Sequence, residues 1–160
     1  MPDSEQSNQD RLIAEILARS TSPQWPEARK EWVLSEIYRE KEPLTCLCGF
    51  SPIQDICILR NRINGNLALL GKLCADRFSS FEASGIFSGL QSISCEPARP
   101  LNKAATLFAH ARRWITDWER DFLFDTARRR RLSLRQLSKR EEINRRILAR
   151  TTNTFKNRRP

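Results

Sequence analysis

Four of the chain's five cysteines crowd into one stretch, Thr45 to Phe81, reading TCLCGFSPIQDICILRNRINGNLALLGKLCADRFSSF, and nothing else constrains the fold as much. Cys46, Cys48, Cys57 and Cys74 follow the spacing C-x-C-x(8)-C-x(16)-C. The N-terminus MPDSEQSNQD is polar and acidic, unlike a secretion signal. No run approaches the roughly 20 apolar residues that cross a bilayer, so a cytoplasmic protein with no membrane partner is expected. That compartment is reducing, which makes thiols metal ligands or buried side chains rather than disulfides. An odd total of five cysteines points the same way. The simplest reading is a structural Zn2+ held by Cys46, Cys48, Cys57 and Cys74. A second reading makes Cys57, in an apolar run, a buried thiol. The fourth ligand is then Asp76 or His110, or the site is a metal-free relic held by packing.

Local signals order this stretch. Gly49 directly after Cys48 permits a positive-φ turn, a knuckle whose amides face sulfur. Ile56 to Leu59 and Leu67 to Leu70 are short apolar runs that read as strands, and Asn64-Gly65 between them is a strong hairpin signal. Gly71 ends the second strand, and Cys74 falls in the first turn of a helix continuing through Phe78 and Phe81, where free amides favour a thiolate. Knuckle, hairpin and helix in that order resemble the layout of a treble-clef zinc finger, with C-x-C where the usual knuckle has C-x-x-C.

The flanks read as helical. One helix is expected from Ser7 or Asn8 to near Ser20, carrying Leu12, Ile13, Ile16 and Leu17 after a loose tail at residues 1–6. A second starts at Pro26, with Trp32, Val33 and Ile37 on one side and Glu36 and Glu40 on the other. Beyond the cluster, Ile86, Leu90 and Ile93 mark a short helix, and Pro97 and Pro100 mark a connector and candidate domain boundary. Asn102 caps the next helix. Thr116-x-x-Glu119 and Ser133-x-x-Gln136 are capping boxes that open two further helices, a helical hairpin or helix-turn-helix-like pair. The expected class is α-rich α+β. N-terminal helices (1–42) precede a zinc-binding hairpin unit (43–96), a basic helical domain (97–150) and a basic tail (151–160).

Charge is unevenly spread. Residues 1–98 hold 10 Lys and Arg against 13 Asp and Glu, and residues 99–160 hold 18 against 6, so the net +9 belongs to the C-terminal third. Arg128, Arg129, Arg130 and Arg131 run together, and Arg135, Lys139, Arg146 and Arg150 recur at helical steps that put four cations on one face. Such a ladder suits successive phosphates, giving affinity without base readout and a steep salt dependence. The same charges also serve as a solvated surface. Nucleic acid is therefore the expected partner, DNA ahead of RNA, with an acidic host protein as the alternative. The apolar positions of the last helix point two ways: Leu134, Leu137 and Leu148 oppose Ile143 and Ile147. That pattern calls for a bend near Ser138 or burial on two sides, as in a homodimer.

CLCG, ICILRNRINGN and LLGKLCADRF, followed by WITDWERDFLFDTARRRRLSLRQLSKREEIN, are similar to a group of small proteins of bacteria and their phages or mobile elements. These share C-x-C-G, an Ile-x-Asn strand, a Gly turn, Val-Gly-x-x-Cys, and a C-terminal Trp-Glu, Phe-Leu, Leu-Ser-x-x-Gln pattern. The resemblance covers about residues 31–150. Some members carry a His near the position of Phe50; its absence here implies Cys57 as the fourth ligand. The resemblance implies no activity. No H-x-E, G-x-S-x-G or phosphate-binding glycine loop occurs, and the lone His110 reads as a packed or surface side chain, so no enzyme is expected. Trp25, Trp32, Trp114 and Trp118 read as core and interface anchors.

Overall fold

The computed structural model describes residues 2–78 and 82–151. The helix expected to run through Phe78 ends instead at Asp76, while Phe81 and the basic tail beyond Thr151 fall outside the described residues. The chain forms two compact units, residues 1–83 and 84–160. The division lies upstream of the proline-rich connector that the sequence marks.

In the first unit, helix α1 (Pro2–Ala18) starts earlier than expected, and buries Leu12 and Ile16. A short helix α2 (Trp25–Ala28) and a 3-10 turn (Arg29–Glu31) lead into strand β1 (Trp32–Leu44). Here the sequence reading is corrected, because the expected second helix is a 13-residue strand. Trp32, Val33, Ile37 and Tyr38 are β-branched or aromatic and suit a pleated surface. A register shift between Leu34 and Glu36 hides the strand's period of two. The buried Trp32 and Ile37 stand five residues apart, an odd interval, yet they oppose Asn61 and Cys57, which share a face of the neighbouring strand. The bulge restores the phase.

Strand β2 (Ile53–Asn61) is central in a three-stranded antiparallel sheet of order β1-β2-β3, with β3 at Leu67–Gly71. The expected hairpin forms, and Gly65 at φ +78° makes its turn. Asn61 Oδ1 accepts from the amides of Ile63 and Asn64, while Asn64 and Asn66 side chains donate to the Arg19 carbonyl at 3.0 Å, tying the turn to the end of α1. Helix α3 (Lys72–Asp76) follows at once.

Beside the turn lies Glu31, buried in a polar cluster with Asn61. Its carboxylate accepts from the Thr21 hydroxyl and amide, the Ser22 amide and Asn61 Nδ2. Burial raises the carboxyl's pKa, but these hydrogen bonds outweigh it and bring it from 4.5 to about 2.

The second unit is helical: α4 (Ala83–Cys95), α5 (Lys103–Ala111), α6 (Asp117–Ala127) and α7 (Leu134–Arg150). The Asn102 cap and both capping boxes form as expected, with Thr116 and Ser133 accepting from the third helical amide. Arg128 to Leu132 join α6 to α7. Helix α7 runs unbroken and buries one stripe, Arg140, Ile143, Asn144 and Ile147. Leu134 is 86% exposed, so the two-way apolar pattern reflects one buried face and a leucine left in solvent. Arg140 and Asn144 hold the connector: Arg140 donates to the carbonyls of Ala98 and Thr126, and Asn144 to those of Pro97 and Arg99 at 2.8 Å. No helix among the described residues is long and apolar enough to cross a membrane.

Candidate metal centre and basic face

Three of the four clustered cysteines converge. The Sγ atoms of Cys46, Cys48 and Cys74 all lie within 4.8 Å of one another, the first two buried and the third half-buried. Each arrives by a local device. Beyond β1, the Leu47 amide donates to the Leu69 carbonyl, docking the knuckle on the outer edge of β3. The Gly49 amide donates to the Cys46 carbonyl, and Gly49 takes φ +93°. An added Cβ there would lie 2.7 Å from the end of the flexible Arg11 side chain, which can swing aside, so it is the positive φ that calls for glycine. Cys74 enters from the first turn of α3, directly after β3.

Backbone amides point at the sulfurs. Gly71 N–H donates to Cys46 Sγ at 3.3 Å and Phe50 N–H to Cys48 Sγ at 3.4 Å. Cys46 is drawn toward the thiolate, first by a hydrogen bond from the Cys74 thiol and then by the Gly71 amide; the same bond pushes the Cys74 thiol up. Three soft donors at this separation, with amides placed to stabilise negative sulfur, are a donor set that fits a thiolate-bound metal ion. A cavity of about 480 Å³ is lined by the three cysteines with Glu5, Phe50, Lys72 and Arg77 among its walls.

Cys57 stands apart from this group among the described residues. It is fully buried at the centre of β2, with Ile37 and Leu70 as its buried cross-strand neighbours. Burial, with the charges of Asp76 and Asp55, pushes its thiol up to about 12. The alternation of β2 puts Cys57 on the strand face shared by Asp55 and Leu59, buried against its cross-strand neighbours, and its sulfur is not gathered with the other three. The other candidates for a fourth ligand do not join the sulfurs either. Asp76 ends α3 outside the group, and His110 Nε2 pairs with Asp117 at 2.7 Å in the second unit.

The proposed phosphate contacts divide into two kinds. Arg128, Arg130, Arg131, Arg135 and Arg150 are exposed and have no ion-pair partner among the described residues. Arg129 pairs with Asp125 at 3.3 Å and Lys139 with Glu142 at 3.4 Å, both at the surface. Arg146 differs from all of these: it binds the buried carboxylate of Glu119, the residue that completes the α6 capping box. Its position on a cationic face concealed a structural partner on another helix. Arg140 and Asn144 escaped the sequence reading, although both lie in step with Ile143 and Ile147 at i, i+3, i+4 and i+7. Of the tryptophans, Trp32 is buried, whereas Trp118 is 59% exposed and stacks on Phe122 at 5.2 Å. Against family models, curated proteins and solved structures, the chain gives no match.

Proposed function

We propose that this is a zinc-stabilised nucleic-acid-binding accessory protein. A treble-clef-like unit, built from knuckle, hairpin and α3, holds a structural Zn2+ through Cys46, Cys48 and Cys74. The basic helices of the second unit contact phosphates. The observation that carries the binding reading is the set of exposed arginines without ion-pair partners among the described residues, Arg128, Arg130 and Arg131 in the α6–α7 turn with Arg135 in the first turn of α7. Unpaired guanidiniums are free to exchange counterions for phosphate, whereas paired ones must first break an ion pair.

Binding to random-sequence duplex DNA across a salt series tests it. Arg131→Ala with Arg135→Ala should leave the fold intact and reduce the slope of log K against log salt by about two. An unchanged slope sinks the phosphate reading. The alternative, a module that docks on a host protein, draws support from the exposed Trp118–Phe122 stack, since aromatics of that kind anchor protein interfaces. Trp118→Ala separates the two, because it should spare the salt slope.

A further inference from the structure

We infer that the metal centre has three protein sulfurs and that its fourth coordination position faces the cavity, where it accepts a small external thiol. This rests on the zinc reading above and concerns what that ion does with its remaining bond. The three converging sulfurs all line the cavity, and Cys57, the only other cysteine of the cluster, does not. Cys57 is fully buried in the sheet, paired between Ile37 and Leu70, and its sulfur is not gathered with the other three. A tetrahedral ion held by three thiolates has one position left, and the cavity those sulfurs line, with Glu5 and Asp55 also on its walls, gives that position room for an outside ligand.

The walls carry both signs of charge, Lys72 and Arg77 against Glu5 and Asp55, so the preference for a thiol rests on the three soft sulfurs that would already hold the ion. Phe50 and Leu73 line the cavity and are 55% and 71% exposed, forming an apolar rim at the entrance. Arg77 also lines it, exposed and without an ion-pair partner among the described residues. Lys72 adds a second positive group, bonded to Asp55 at 2.8 Å. A divalent ion with four thiolates would carry two net negative charges, and the Gly71 and Phe50 amides that donate to Cys46 and Cys48 would stabilise that negative sulfur. An incoming thiol would give its proton to solvent as its sulfur displaced a water molecule from the ion. No oxidation is involved.

The test uses the full chain loaded with Co2+ under a non-thiol reductant, read by its sulfur-to-cobalt charge-transfer absorption. The expected result is a three-sulfur intensity, equal in wild type and Cys57→Ala, that rises by about one third when 2-mercaptoethanol is added and reverses on its removal. Overturning results are a wild-type intensity that ignores added thiol, or one that falls by about a quarter in Cys57→Ala. The thiol addition needs no variant, so a misfolded Cys57→Ala leaves the test standing. Failure of the wild type to take up Co2+ would overturn the zinc reading itself, an outcome distinct from a filled four-sulfur site.

Discussion

Single residues decide whether the knuckle and the hairpin turn hold their shape. Gly49 takes φ +93°, a conformation that side-chain-bearing residues rarely adopt, so Gly49→Ala meets backbone strain, while the Arg11 end near the new Cβ can move away. It should lower the stability of the first unit by about 1–3 kcal/mol, and weaken metal uptake when thermal unfolding is followed with and without Zn2+. Glu31 sets a pH dependence. Its carboxyl falls from 4.5 to about 2 on folding, so the stability it contributes is present in full above about pH 4.5 and is lost as pH drops toward 2. Denaturant midpoints at pH 5 and pH 3 should fall in wild type, and by less in Glu31→Gln. Arg146 was legible only as one more cation. Because it holds the buried Glu119, Arg146→Ala should cost about 1–3 kcal/mol of stability in the second unit and leave the salt slope of nucleic-acid binding unchanged.

Elements were readable where a short-range rule governs them. The Asn64-Gly65 hairpin, the Asn102 cap and both capping boxes form where local chemistry places them, because each is settled within four residues of chain. β1 was not readable, because its bulge sets Trp32 and Ile37 in phase only after pairing with β2 supplies the register. α7 lies between these cases. Its caps and length follow from sequence, but its buried stripe includes Arg140 and Asn144, polar residues that a hydrophobic pattern discards. Asn144 holds two connector carbonyls, and Asn144→Ala leaves both without that donor, so the urea midpoint of the second unit should shift by about 1–3 kcal/mol in free energy. An unchanged midpoint would show that the connector finds other partners.

Across the whole molecule, the two compact units respond separately to metal removal in this reading. Chelation should melt the sheet and α3 of the first unit, while the helical signal of α4 to α7, whose core of Leu90, Ile93, Leu123, Ile143 and Ile147 contains no proposed ligand, survives. Circular dichroism with and without chelator reads this as a partial loss of signal; complete collapse would refute it. By itself the sequence determined the spacing of thiols around an Asn-Gly turn, the capped helices, and a positive charge confined to the C-terminal third, because all of these are local or additive properties. Tertiary structure alone decided which sulfurs meet and which arginines stay free. Pairing with β1 and β3 buries Cys57 and knuckle docking brings Cys46 and Cys48 to Cys74, while packing of α7 against α6 pairs the exposed Arg146 with the buried Glu119. Those outcomes depend on partners far away along the chain, and no local pattern encodes them.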